Sequence, residues 1–138
     1  MSCVDRGRML IVDASCLFEV VTGRPKAQVI ARHLLKDSDQ AAPHIVDVEV
    51  FGIVRREFLR QTLDYTTAVQ AVDDLRLWAG ERFDHGPMLG RAWELRDTVR
   101  GWDAMYVALA EILGGTLLTM DRRLAGATGP RCAIEVVI

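Results

Sequence analysis

The chain has 138 residues, of which 50% are apolar and 26% charged, and its formal net charge is −2. This length and composition are typical of one globular domain with a full core. No apolar run approaches the roughly 18 residues of a membrane span, and the charge excludes a basic field over the whole molecule. Three widely spaced cysteines match neither a disulfide framework nor a zinc knuckle. We therefore expect a protein of the reducing cytoplasm.

We predict two parts in the chain. Residues 1–8 are polar and lack the apolar core of a secretory signal, so we expect them to form an N-terminal extension. Residues 9–138 contain no repeat, linker or low-complexity tract, and we expect them to form a single domain.

The first half of that domain is predicted to alternate buried strands and helices. A short apolar run predicts a strand at residues 9–12, and the helix after it spans residues 14–21. Pro25 suits the first turn of a second helix, which extends to Lys36. Residues 38–43 are predicted to be a loop with a very short strand at residues 41–42. A helix that is apolar on most sides then covers residues 45–60.

The second half continues the alternation. A helix capped by Thr66 or Thr67 is predicted to extend to Trp78, and a small strand follows at residues 81–84. Two helices are then predicted, at residues 87–99 and 102–113. The last predicted elements are a strand at 116–120, a helical turn at Leu124 and a strand at 132–138. Strands separated by helices predict a three-layer α/β/α fold, whose mostly parallel central sheet is covered by helices on both faces.

Four acidic residues stand where a surface carboxylate is not expected. Asp13 and Asp121 each follow an apolar strand, Glu49 lies in the apolar helix over residues 45–60, and Asp103 opens another apolar helix. A buried carboxylate must be paired, protonated or bound to a cation. Parallel strands end at one edge of the sheet, outside which ligands bind, and the two helices can pack there. Four converging oxygen ligands favour Mg²⁺ or Mn²⁺, and hence chemistry on phosphate.

Each acid also has an ordinary interpretation. Asp13, Asp103 and Asp121 stand at predicted helix starts, where a carboxylate caps the helix and opposes its dipole. Glu49 has apolar neighbours at helical spacing, so its alternative is a carboxylate that reaches solvent at the edge of an apolar face.

Three side chains near the predicted strand ends have supporting or structural interpretations. The hydroxyl groups of Ser15 and Thr119 are expected to orient a carboxylate or a metal-bound water, although a plain helix cap explains Ser15 equally well. Cys16 has no neighbour that marks it as a nucleophile, and we expect a buried structural thiol.

Several other chemistries lack their sequence signals. The three histidines show no zinc spacing, and the chain has no phosphate-binding glycine loop and no serine nucleophile elbow. A receiver-type signalling domain requires a lysine on a later strand, but Lys26 and Lys36 both lie in the early helical segment. The three tryptophans lie in helical apolar patterns and are expected to be core or interface residues.

Four segments together resemble a known family. Residues 10–15 (Leu-Ile-Val-Asp-Ala-Ser) resemble the opening strand and acidic turn of PIN-domain ribonucleases, and residues 43–50 resemble the helix that carries their second acid. Residues 102–111 are similar to the most specific motif of the family, in which aspartate precedes Ala-x-Tyr-Val-Ala-Leu-Ala. Residues 117–124 resemble the fourth motif of the family. Order, spacing and length resemble those of VapC-type toxins from bacterial toxin–antitoxin pairs.

The resemblance implies an activity and a set of ligands. It implies that Asp13, Glu49, Asp103 and Asp121 bind Mg²⁺ or Mn²⁺ in a toxin that cleaves RNA, such as a tRNA or an rRNA, and so inhibits translation and growth. One departure is Trp102, where relatives often carry tyrosine. The alternative is a non-catalytic PIN-like interaction module, but such a module would show a broken acid set, and here the four acids are intact.

The resemblance also implies partners. They are a second copy in a homodimer, a VapB-type antitoxin in a hetero-oligomer, and the RNA substrate. Candidate RNA contacts are the arginines that border the predicted crevice in sequence: Arg96, Arg100, Arg122 and Arg123. Arginine suits phosphate recognition. A solvated surface arginine remains the simpler interpretation of any single one, and genome base composition also explains why 15 of the 17 cationic residues are arginine.

Overall fold

The structure is a computed structural model that describes residues 9–34 and 39–138. The predicted extension at residues 1–8 and the predicted end of the second helix at Lys36 lie outside the described residues. In chain order the elements are β1 (Met9–Val12), α1 (Ala14–Thr22), α2 (Ala27–Leu34), β2 (Asp39–Pro43), α3 (Ile45–Leu59), α4 (Tyr65–Arg76), β3 (Glu81–Phe83), a 3₁₀ turn (Gly86–Met88), α5 (Leu89–Glu94), α6 (Asp103–Leu113), β4 (Thr116–Thr119), α7 (Arg122–Ala125) and β5 (Ala133–Val136).

The five strands form one sheet in the order β3-β2-β1-β4-β5, and every neighbouring pair is parallel. The helices α1 to α4 pack against one another, while α6 lies on β1, β2 and β4 with α5 beside it. The predicted α/β fold is confirmed, and its sheet is entirely parallel. In the β1–β4 register Val12 lies opposite Leu118, so Asp13 and Thr119 are neighbours at the carboxyl edge.

The most apolar segments form the core. Ile11 and Val12 on β1 and Leu117 and Leu118 on β4 are fully buried, as expected for strands covered on both faces. Helix α6 contributes a run of buried residues and ends at Gly114, whose φ of 63° is the left-handed conformation that glycine adopts readily. None of the described helices is long and apolar enough to cross a membrane.

Over residues 39–43 the predicted loop was wrong, although the very short strand predicted at residues 41–42 lies within a strand of the structure. Residues 39–43 form β2, which pairs with both β1 and β3. Alanine and proline have low strand propensity, but Ala41 and Ala42 are fully buried between neighbouring strands, and tertiary packing overrides the local preference.

The predicted helix at residues 87–99 was also wrong over much of its length. A 3₁₀ turn precedes α5, which ends at Glu94, and turns follow. Of the apolar positions on which that helix was predicted, Met88, Ala92 and Leu95 are buried, but Leu89 and Trp93 are exposed. Apolar periodicity therefore identified only part of the buried set and did not fix the backbone.

Two helix starts differ from their predictions. Asp64 caps α4, because its Oδ1 accepts a hydrogen bond from the Thr67 amide at 2.7 Å, so the predicted caps Thr66 and Thr67 were wrong. Helix α2 begins at Ala27 instead of at Pro25.

Candidate functional site

Asp13 is the most buried acid of the site, with 8% of its surface exposed. It ends β1 and caps α1. Its Oδ1 accepts hydrogen bonds from the Ser15 hydroxyl at 2.8 Å and the Cys16 amide at 2.9 Å, and its Oδ2 accepts one from the Thr119 hydroxyl at 2.5 Å. Burial raises the pKa of Asp13, and the bonds from Thr119, Cys16 and Ser15 offset only part of that rise. These neutral donors orient the carboxylate without cancelling its charge.

Thr119 connects two of the predicted acids. Its hydroxyl donates to Asp13 and accepts a hydrogen bond from the Asp121 amide at 3.0 Å. Asp121 in turn caps α7, where its Oδ1 accepts from the Arg123 amide at 2.9 Å. The capping interpretation therefore holds for Asp13 and Asp121, and both carboxylates also stand at the carboxyl edge of the sheet.

Glu49 is half-buried and is held by a tyrosine. The Tyr106 hydroxyl on α6 donates to Glu49 Oε1 at 2.6 Å. Burial raises the pKa of Glu49, the Tyr106 bond lowers it, and the nearby charges of Asp103 and Asp13 raise it further. The sequence analysis assigned Tyr106 no role. The available signal was its position three residues after Asp103, which places both on one face of a helix.

Asp103 is the first residue of α6, and no side chain caps that helix. Burial raises the pKa of Asp103 first, followed by the charges of Asp13 and Asp121, while Arg100 lowers it. Asp13 acts on both Glu49 and Asp103, and Asp121 acts on Asp103, so each of the four acids lies within electrostatic reach of at least one other. The fold thus brings together the four residues selected from the sequence.

A cleft of about 220 Å³ opens beside two of these acids. Its lining includes Asp103 and Asp121 together with Arg100 and Arg123, so two of the four candidate RNA-contact arginines lie beside the acids. Arg122 is exposed on α7. The guanidinium of Arg96 lies 4.5 Å from the centre of the Trp93 ring, in a separate depression between α5 and α6.

The tryptophans occupy different environments. Trp93 and Trp102 are largely exposed, at 67% and 61%, so neither belongs to the core. Trp78 is half-buried, and its indole N–H donates to Gln40 Oε1 at 2.8 Å. Cys16 is buried, as expected, and burial raises the pKa of its thiol, so it is not an activated nucleophile.

The donor set fits a hard divalent cation in its chemistry. Asp13, Glu49 and Asp103 have raised pKa values, and within the described part of the chain none of the three has an arginine, lysine or histidine within salt-bridge distance. Oxygen ligands with uncompensated charge are those that Mg²⁺ and Mn²⁺ prefer. Among the described residues no group of three or more acids, histidines or cysteines is already arranged around one point. An ion would therefore have to draw these carboxylates together.

Comparison with known proteins decides the family. The PIN domain model matches residues 10–129. The chain belongs to the PIN domain family. Two relatives from Mycobacterium tuberculosis H37Rv are each 38% identical to this chain. The match to Ribonuclease VapC1 covers 92% of this chain and 96% of the relative, and the match to Ribonuclease VapC12 covers 94% of this chain and 99% of the relative. The resemblance stated from the sequence motifs is confirmed.

Solved PIN-domain structures agree with the fold. The chain superposes on a crystal structure of VapBC2 from Rickettsia felis bound to a promoter DNA fragment with a TM-score of 0.68, at 17% identity, covering 94% of this chain and 99% of that one. It also superposes on Mycobacterium tuberculosis VapC20, described as a sarcin–ricin loop cleaving toxin, with a TM-score of 0.63 at 19% identity, covering 85% and 93%. At these identities the likeness concerns the fold.

Proposed function

We propose that this PIN-domain protein is a divalent-metal-dependent endoribonuclease and the toxin of a type II toxin–antitoxin pair. The observation that carries the proposal is the set of four acids near the carboxyl edge, of which Asp13 and Glu49 are held by hydroxyl and amide donors instead of by basic side chains. The names of the relatives, Ribonuclease VapC1 and Ribonuclease VapC12, support the nuclease activity.

In this proposal Asp13 is the principal metal ligand, with Asp103 and Asp121 beside it. The chemistry that Mg²⁺ or Mn²⁺ would supply when held there is a water of lowered pKa and positive charge beside the scissile phosphate. The bonds from Ser15, Cys16 and Thr119 fix the Asp13 carboxylate before any ion arrives, which removes an ordering cost at the moment of binding.

Glu49 is proposed to ligate the ion or orient the attacking water. Its Oε1 accepts the Tyr106 bond and keeps a second lone pair, so both carboxylate oxygens can serve either task. The raised pKa of Glu49 moves it toward the working pH, which suits a group that accepts a proton from water. Arg100 and Arg123, which line the cleft, are proposed to contact RNA phosphates.

The proposed substrate is a structured RNA with an exposed loop, such as a tRNA or an rRNA. Unpaired bases in loops are the parts of RNA that proteins read most readily, whereas paired stems hide their edges. We place the reaction in the cytoplasm.

We propose an antitoxin partner and a homodimer. One structural neighbour was crystallised as VapBC2 on promoter DNA. An apolar groove of about 310 Å³ between α3 and α4, which includes Phe51, Phe58 and Val69, is the kind of exposed surface that a protein partner covers. The non-catalytic module is not favoured, because no observation indicates a broken acid set.

The proposal is tested on purified, antitoxin-free protein incubated with total cellular RNA in Mg²⁺, Mn²⁺ or EDTA, with Asp13→Ala treated in parallel. We expect discrete fragments that require the metal and disappear in the variant, and sequencing of their ends would identify the target. Cleavage that survives both EDTA and Asp13→Ala would contradict the proposal, because it would come from a contaminant or a different site. Intact RNA under all conditions would favour the binding module or a substrate absent from the pool.

A further inference from the structure

Tyr106 is a buried residue whose hydroxyl donates a hydrogen bond to a carboxylate of the candidate site. The residue is 1% exposed, one turn into α6, and its hydroxyl contacts Glu49 across a sequence separation of 57 residues. A buried phenol needs a hydrogen-bond partner, and Glu49 is the acceptor. Burial raises the pKa of Tyr106 above its ordinary value, and the Glu49 bond adds to that rise, so the proton stays on tyrosine and Glu49 accepts.

This bond links the two helices that carry acids of the site. Helix α6 provides Asp103 at its first residue and Tyr106 one turn later, on the same face. Helix α3 provides Glu49 in its second turn. Glutamate has three rotatable torsions, and its carboxylate would otherwise sample many positions. The bond from Tyr106 restricts those positions and ties the Glu49 carboxylate to the helix that also carries Asp103.

We propose that Tyr106 is a positioning residue that sets the Glu49 carboxylate for the divalent ion, so that α6 contributes one acid directly and aims a second. The inference rests on the proposed metal-dependent function. It assigns Tyr106 a role through Glu49 and not through contact with RNA. A side chain that orients a ligand in this way changes metal affinity or activity by about 10- to 100-fold when it is removed.

The chain offers a matched pair of substitutions. Tyr106→Phe removes only the hydroxyl and retains the buried ring, while Tyr65→Phe makes the same change at the other of the two tyrosines, whose side chain is 70% exposed. Calorimetric titration with Mn²⁺ measures affinity without requiring a known RNA. We expect Tyr106→Phe to weaken Mn²⁺ binding about 10-fold or more and Tyr65→Phe to leave it unchanged.

A double-mutant cycle separates positioning from a general packing role. If Tyr106 acts through Glu49, then Tyr106→Phe has no further effect on Mn²⁺ affinity in a Glu49→Gln background, because the carboxylate that it positions is gone. A structural role would instead reduce thermal stability and Mn²⁺ affinity equally in both backgrounds, and that result would overturn the inference.

The outcomes separate this inference from the proposed function. If the wild-type protein and Tyr106→Phe bind Mn²⁺ equally well, the positioning role alone is overturned. If the wild-type protein binds no Mn²⁺, the proposed function is overturned, and the positioning role with it. Weakened Mn²⁺ binding in Tyr106→Phe, absent from the Glu49→Gln background, supports the positioning role whether or not a cleavable RNA has been found.

Discussion

Carboxylates in two regions of this molecule have different kinds of hydrogen-bond donor: basic side chains in one region and neutral groups in the other. Away from the cleft, Arg91 binds Glu111 through two bonds of 2.7 and 3.2 Å, and Arg82 binds Asp47 through bonds of 2.8 and 2.9 Å. At the carboxyl edge, the described residues give Asp13 only hydroxyl and amide donors. The first arrangement neutralises the charge of the carboxylate, whereas the second orients the carboxylate without neutralising it.

The pKa directions express the same contrast. Burial raises the pKa of Glu111, but bonds from Arg91 and the Arg131 amide bring it below its ordinary value. Burial also raises the pKa of Asp13, and there the hydrogen bonds are not enough to reverse the rise. At neutral pH the paired carboxylate therefore stabilises the fold, whereas the unpaired one reduces the stability of the metal-free protein.

The largest expected effect is the loss of catalysis when the charge of Asp13 is removed. Asp13→Asn keeps the shape of the side chain but removes the charge of the proposed principal metal ligand, and we expect cleavage of a defined RNA target to fall by about 10³-fold or more. Glu111→Gln removes a charge in the same isosteric way outside the cleft, and its rate per folded molecule should remain within about threefold of wild type. Equal losses in the two variants would break the comparison.

The second effect concerns the stability of the fold, and here we expect the loss at Glu111 instead of at the cleft. Glu111→Gln removes the carboxylate that binds Arg91 through two bonds and leaves Glu94 as the remaining charged partner, and we expect the free energy of unfolding to fall by about 1–2 kcal/mol in urea denaturation. Because the folded-state pKa of Glu111 is lowered, its contribution is present above the ordinary glutamate range and is lost as pH falls through the folded value. The difference between wild type and variant should therefore shrink in acid. A difference that grew toward low pH would be inconsistent with this pairing.

Asp103→Asn should stabilise the metal-free protein while it impairs the site. The folded-state pKa of Asp103 is raised. Asp103 therefore contributes to the stability of the fold below the ordinary aspartate pKa near 4, where it is protonated, and this contribution is lost as pH rises through the folded-state pKa. At pH 7 in EDTA we expect the variant to be more stable by about 1 kcal/mol, or roughly 4 °C in melting temperature. The gain should disappear near pH 4. A variant less stable than wild type at pH 7 would show that Asp103 is compensated in the folded protein.

The smallest effect concerns RNA binding. Arg100→Gln removes one cation from the cleft wall, and we expect KM for RNA to rise several-fold, with the slope of log affinity against log salt reduced by about 0.7. Arg55→Gln, at an exposed arginine that lines the α3–α4 groove, is the control and should leave both quantities unchanged. Equal effects of the two substitutions would remove the specific role of Arg100.

Much of the fold and the candidate site could be predicted because their signals are local. Apolar runs marked β1 and β4, and the acid after each run predicted one edge of the sheet, where Asp13 and Asp121 now lie. Gly114 marked the end of α6, and Gly23 that of α1. These features depend on a few consecutive residues, so a single sequence contains them.

The features that were missed depend on partners far apart in the chain. The bond from Tyr106 to Glu49 requires α3 and α6 to meet, and β2 owes its strand conformation to neighbours on both sides. His85 Nε2 accepts the first amide of α3, Ile45 N–H, at 2.9 Å from a loop 40 residues away. No spacing rule within one segment predicts such contacts.

The central claim is that Asp13, Glu49 and Asp103 lack basic partners among the described residues because they serve a divalent cation. Calorimetric titration of Mn²⁺ into wild type, Asp13→Asn and Glu111→Gln at neutral pH tests it most directly. We expect wild type and Glu111→Gln to bind with the same affinity and Asp13→Asn to bind at least about 10-fold more weakly. Absence of binding to wild type, or unchanged binding to Asp13→Asn, would contradict the account.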